Sequence, residues 1–169
     1  ALAAGDVDAG AGKPGQRVFY IQGRKGSEVV TLLVEKVQLQ TLAIGVEQFL
    51  TEIAVRRPEL PPALGDYDET RMHIQPPVDP LFRIGELGLG YDEDNDLMLL
   101  LAHEVTADGV TESDEEVAVV RFWGTRSQMR ALVRWALDVA NRGRPTCPQC
   151  GEPMEPEGHF CPKKNGHKH

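Results

Sequence analysis

The sequence predicts an α+β fold: an antiparallel sheet or sheets with two helices covering one face, disposed as two βββα-like halves, and a small cysteine-bearing module at the C-terminus. Three observations predict it. Strand-like stretches precede a helical apolar repeat twice along the chain, the connections between strands are too short for parallel crossovers, and the closing segment differs in composition from everything before it.

The opening, Ala1 to Gly15, is rich in Ala and Gly and lacks the basic and apolar regions of a signal peptide, so its first residues read as a frayed end. Asp6 to Gly12 are the place for a first strand. Arg17 to Gln22 and Glu28 to Glu35 read as a hairpin around the Lys25-Gly26-Ser27 turn. Leu39, Leu42, Ala43, Val46, Phe49, Leu50 and Ile53 share one helical face, which predicts a helix over roughly Val37 to Arg56. Pro58, Pro61 and Pro62 forbid its continuation, and the stretch through Pro76, Pro77 and Pro80 reads as a linker or surface loop. Phe82 to Gly90, Leu97 to Val105 and Glu115 to Trp123 then form a meander, with a turn at Asp94-Asn95. The second helical repeat runs through Met129, Leu132, Val133, Ala136, Leu137 and Ala140; Thr125 with Gln128 forms its capping box, and Gly143 is its C-terminal cap. The α+β domain thus spans 6–143, with halves of about 6–57 and 81–143 joined by the Pro-rich loop 58–80, and the tail is 144–169.

Composition bounds the function. Apolar residues are 41% and charged residues 26% of the 169, ordinary values for a chain that folds. The net charge of −8 repels phosphate backbones, which disfavours a nucleic-acid role without a local basic patch. No apolar run approaches the ~20 residues of a membrane helix. The three cysteines lie between Cys147 and Cys161, a poor disulfide framework and a good metal set for a reducing compartment, so the expectation is a cytoplasmic protein.

The tail carries the one specific chemical signal. In Cys147-Pro-Gln-Cys150-Gly, the spacing lets two thiolates converge on one ion, and a second arm must complete a tetrahedral zinc site. Cys161 supplies the third ligand, and His159 or His167 the fourth, with His169 as a further choice. This is a zinc-ribbon-like arrangement, and its richness in cysteine points to a closed structural site. A redox role for Cys147 and Cys150 would want the motif to open a helix within a βαβ unit, which is not the context here.

Taken together, the Pro-Gly-Gln-Arg-Val-Phe-Tyr-Ile-Gln start, Glu35-Lys36-x-Gln38, Arg121-Phe-Trp-Gly-Thr-Arg126-x-Gln128, and the Gly143-Arg-Pro-x-Cys-Pro-x-Cys-Gly…Gly-His-x-Cys-Pro-x-x-Asn-Gly tail resemble the bacterial family called domain of unknown function 3090, from about Gly12 to His167. The resemblance implies an actinobacterial protein encoded beside a phosphatidylinositol 3/4-kinase-like protein and a histidine-phosphatase-like protein. It implies a kinase-like partner and brings no known activity with it.

Other features read modestly. Asp92-x-Asp94-Asn95-Asp96 resembles a calcium loop, but Leu97 stands where its Gly belongs, so it reads as an acidic hairpin turn. Arg126, Arg130 and Arg134 recur every four residues on the polar side of the last helix, as a solvated face or as a surface for an anion or an acidic partner. Trp123 and Trp135 read as core, Glu35 and Lys36 as a surface pair, and His73 and His103 as isolated. With no acid–base or nucleophile set in view, the expectation is a non-catalytic protein-binding or adaptor module using the zinc tail and the arginine-bearing helix. The alternatives are an enzyme or binding protein for a small phosphorylated or carboxylated ligand, and nucleic-acid binding through the ribbon with Lys163, Lys164 and Lys168.

Overall fold

A computed structural model describes residues 2–7, 18–106, 117–141 and 147–151. The element order is β1 (Leu2–Val7), β2 (Val18–Lys25), β3 (Glu28–Val34), α1 (Lys36–Arg56), α2 (Glu69–Met72), β4 (Ile84–Asp92), β5 (Leu97–Glu104), β6 (Val119–Gly124) and α3 (Arg126–Asn141). The fold is α+β, with two antiparallel three-stranded sheets in the orders β1-β2-β3 and β4-β5-β6. Each sheet is followed by its long helix, as two βββα halves require. Among the described residues no helix is long and apolar enough to cross a membrane.

Capping fixes where the long helices begin. The amide of Glu35 donates to Gln38 Oε1 at 2.9 Å, and Gln38 Nε2 donates to the carbonyl of Ile84 at 3.0 Å, so one side chain both starts α1 and ties it to β4. Thr125 and Gln128 cap α3 reciprocally, at 2.9 and 3.0 Å. Gly143, expected as the C-terminal cap of α3, lies outside the described residues.

The halves share one core. Leu39, Leu42, Val46, Leu50 and Ile53 of α1 pack with Met129, Leu132, Val133 and Ala136 of α3, and with Ile21, Leu32, Met98 and Leu100 from the sheets. Each long helix also leans on the other half: α1 on β4 and α3 on β1. The sheets meet at Gly23, where any Cβ would overlap the Phe122 ring; only a residue without a side chain admits this approach.

Four sequence expectations are corrected. The first strand is Leu2–Val7 rather than Asp6 to Gly12, because Leu2, 8% exposed, has core to cover and β1 pairs with β2 from Leu2↔Gly23 to Val7↔Val18. The Pro-rich loop contains the short helix α2, capped by Asp68, whose Oδ1 accepts from the Thr70 amide at 3.0 Å. β4 begins at Ile84 rather than Phe82, because residues just before it serve the edge of β3: Leu81 N donates to Thr31 O at 2.8 Å and Leu33 N to Phe82 O at 3.0 Å. Trp123 is 50% exposed, because its position on β6 faces away from the core, whereas Trp135 is 1% exposed as expected.

Candidate functional site

Cys147, the first described residue after α3, begins a tight turn. The amide of Gly151 donates to the carbonyl of Cys147 at 2.9 Å, and Gly151 takes φ +76°, a conformation glycine adopts without strain. Cys147 is 3% exposed and Cys150 half-buried. A Cys-x-x-Cys-Gly turn closed in this way is the kind of backbone on which two thiolates can be brought toward a single tetrahedral ion. Cys161, His159 and His167, and the alternative His169, lie outside the described residues. Among the described residues no three His, Cys, Asp or Glu side chains converge as a metal site requires.

The arginines of α3 do something the sequence does not announce. Arg126 holds Asp96 with both arms, Nε to Oδ1 at 2.8 Å and Nη2 to Oδ2 at 3.1 Å, and its Nη1 donates to the carbonyl of Pro61 at 2.9 Å. Arg130 grips Glu47 of α1, Nη2 to Oε2 at 2.7 Å and Nε to Oε1 at 3.0 Å, while Nη1 donates to the carbonyl of Ala63 at 2.8 Å. Arg134 lies over Gly65, whose missing side chain leaves room for the guanidinium. Leu64 N also donates to Ser127 Oγ at 2.9 Å.

A helix advances about 6 Å in four residues and an extended chain about 6.6 Å in two. Arginines at every fourth position of α3 therefore meet every second residue of the loop, 61, 63 and 65. The ladder is a clasp that holds the Pro-rich loop along α3, and two of its three members are engaged by carboxylates.

Asp96 closes the β4–β5 turn at φ +49° and anchors a wider network. Tyr91 OH donates to Asp96 Oδ1 at 2.7 Å, and Arg57 Nη1 donates to Tyr91 Oη at 3.1 Å and to the carbonyl of Glu93 at 2.8 Å. Hydrogen bonding from Arg126 holds the Asp96 carboxyl below its ordinary range, as Arg130 does for Glu47. Desolvation, and then its hydrogen bond to Asp96, push the Tyr91 phenol upward. Asp92 accepts from the amides of Asp94 and Asn95 at 3.0 and 3.3 Å, so the acidic segment is a hydrogen-bonded hairpin turn.

A carboxylate whose folded pKa is depressed contributes stability that is complete above its unfolded value, ~4, and is lost as pH falls through the folded value. Asp96→Asn keeps a residue tolerant of positive φ and removes the charge. Chemical denaturation at pH 7 is expected to show a loss of roughly 1–2 kcal/mol, between that of an exposed and a buried pair. The gap between variant and wild type should close toward pH 3. A gap independent of pH would mean that the Asp96 charge plays no part.

The remaining candidates fall apart from one another. His73 packs edge-on against Trp135, with ring centroids 5.2 Å apart, and His103 sits half-buried on β5. Lys36 opens α1 next to its cap, while Gln38 is bonded to β4. A cleft of about 320 Å³ lies between the loop and the start of α3, lined by Leu2, Asp66, Tyr67, Arg71, Met72 and Ser127 among others. Its volume is at the lower end for small-molecule sites, and Asp66 and Asp68 against Arg71 give it an acidic balance.

A family model described as "Protein of unknown function (DUF3090)" matches residues 5–161. No curated protein and no solved structure matches the chain.

Proposed function

We propose, from the premise that the chain belongs to the DUF3090 family of proteins of unknown function, that it is a non-catalytic adaptor that docks a protein partner through a zinc-stabilised knuckle and the adjoining helix α3. The observation that carries this reading is the Cys147–Gly151 turn: its amide-to-carbonyl closure, positive-φ glycine and buried Cys147 are what a structural metal knuckle needs before the metal arrives. Cys147 and Cys150 would hold the ion together with Cys161 and either His159 or His167. The metal would supply folding energy to a segment too small to make a core of its own. The ionic side chains of α3 support a mechanical role, since Arg126 and Arg130 are engaged with Asp96 and Glu47. The partner we favour is the kinase-like protein implied by the family resemblance, in an actinobacterial cytoplasm.

Elemental analysis tests the metal. The purified chain is expected to carry about one zinc, lost in Cys150→Ser and in one of His159→Ala and His167→Ala. A chain without metal under reducing, chelator-free conditions would remove the proposal's foundation. Docking is tested by binding of the purified kinase-like protein to immobilised wild type and to Arg134→Glu and Cys150→Ser. Arg134 is the exposed member of the ladder and the one to reverse, because reversing Arg126 or Arg130 would break the clasp. Affinity at least tenfold lower in both variants is the expected result; equal binding by all three would rule out this surface.

A further inference from the structure

We infer that two copies of this chain pair through the outer face of the β4-β5-β6 sheet. The inner face of that sheet covers the core with Met98, Leu100, Ala102 and Phe122, and α1 lies on that side, with Gly45 beside Leu89. Alternation places Gly88 and Gly90 of β4, Leu99 and Leu101 of β5, and Arg121 and Trp123 of β6 on the opposite face. Register aligns them in two rows across the sheet, Gly90-Leu99-Trp123 and Gly88-Leu101-Arg121. Trp123 is 50% exposed there. A large aromatic side chain left in water beside half-buried leucines is the composition of an interface centre rather than of ordinary surface.

The occupant follows from the shape and charge of the face. One edge strand carries a knob, Trp123, and the other a shelf without side chains, Gly88 and Gly90. A Cβ on Gly90 would meet Leu99 at 3.4 and 3.5 Å, ordinary contact distances, so packing within the chain does not demand glycine there. Glycine in a strand weakens it and often marks where another chain comes close. Knob and shelf stand symmetrically about β5, each one strand spacing away, about 4.8 Å. A two-fold axis along β5, midway between two facing sheets, lays the partner's shelf over Trp123 in the same row and lays Trp123 over the partner's shelf. The face is therefore complementary to itself, as an isologous interface must be. Charges agree with this pairing. Glu86, one row beyond Gly88 on β4, arrives beside Arg121 of the other copy, about 7 Å along the strand and within reach of the guanidinium. The symmetry makes that contact twice.

Sedimentation equilibrium of the full chain across a concentration series reads the association directly. The wild type is expected to be dimeric at micromolar concentration. Trp123→Ala should weaken association by roughly thirtyfold or more, the effect of truncating a central aromatic anchor. Gly90→Val fills the shelf with a good strand former and should do the same without loss of thermal stability. Arg121→Glu should weaken the dimer, and Arg121→Glu with Glu86→Arg should restore it, which a general loss of folding would not do. A wild type monomeric at all concentrations would overturn the inference. So would a dimer indifferent to Trp123→Ala and Gly90→Val, which would place the contact elsewhere. Each readout is separate from metal content and kinase binding, so the adaptor reading and this one fail independently.

Discussion

Replacing Trp135 with alanine is expected to remove roughly 3–5 kcal/mol of stability, the range for truncating a buried aromatic side chain. Trp135 is 1% exposed in the middle of α3, and it holds two parts of the Pro-rich loop: Tyr67 edge-on at 5.6 Å and His73 edge-on at 5.2 Å. A domain of this size has only about 5–15 kcal/mol in total. The variant should therefore be partly unfolded at moderate temperature, and Trp135→Phe should recover a good part of the loss. Because both ring partners sit in the loop, amide exchange in 64–73 should accelerate more than in β5. Chemical denaturation showing less than about 1 kcal/mol lost would mean that the core closes over the gap and that the tryptophan does not anchor the loop.

The second large effect concerns Gln22, a polar side chain 0% exposed on β2. Its Nε2 donates to Thr31 Oγ1 at 3.0 Å and to the carbonyl of Gln75 at 3.1 Å, and its Oε1 accepts from the Gln75 amide at 3.0 Å. One amide side chain thereby imitates a strand partner for the loop and satisfies a buried hydroxyl. Gln22→Leu preserves most of the volume and removes every one of these bonds, leaving Thr31, 3% exposed, without this donor. The expected cost is about 2–3 kcal/mol. Limited proteolysis should find new cleavage around 73–80 while the sheets stay intact. A near-neutral result would show that water replaces the Gln22 contacts at little cost, and the pinning of the loop would have to be assigned to Trp135 and the α3 arginines alone.

The two effects share a cause. The loop 58–80, which reads from its prolines as a connector, is fastened along its length: by Arg126 at Pro61, Arg130 at Ala63, Ser127 at Leu64, Trp135 at Tyr67 and His73, and Gln22 at Gln75. Its composition predicted irregular backbone, which holds outside the short helix α2. What composition does not carry is the partner of each group. Asp96 and Arg126 are 30 residues apart and Glu47 and Arg130 are 83 apart, and no local pattern distinguishes arginines that face water from arginines that close a fold. The ladder spacing was legible at 126, 130 and 134; the complementary spacing at 61, 63 and 65 has no signature, since an extended segment can place any residue there.

Trp123 makes the same point for the sheets. Leu97 to Ala102 reads Leu-Met-Leu-Leu-Leu-Ala, apolar on both faces, so alternation specifies that a strand exists and not which face is covered. The β1 segment, rich in Ala and Gly, has weak strand propensity of its own, and pairing with β2 and the burial of Leu2 decide its state.

By itself, then, the sequence determined the order of the strands and the two long helices, the capping residues of both long helices and the closed Cys-x-x-Cys-Gly turn. Periodicity, capping and turn chemistry act over a few residues and are written in adjacent letters. Only the tertiary structure decided that Arg126 and Arg130 turn inward onto the loop, that the halves exchange helix contacts through one core, and that Trp123 faces out. Those outcomes depend on which surfaces meet, and that is a property of the whole chain's packing rather than of any window within it.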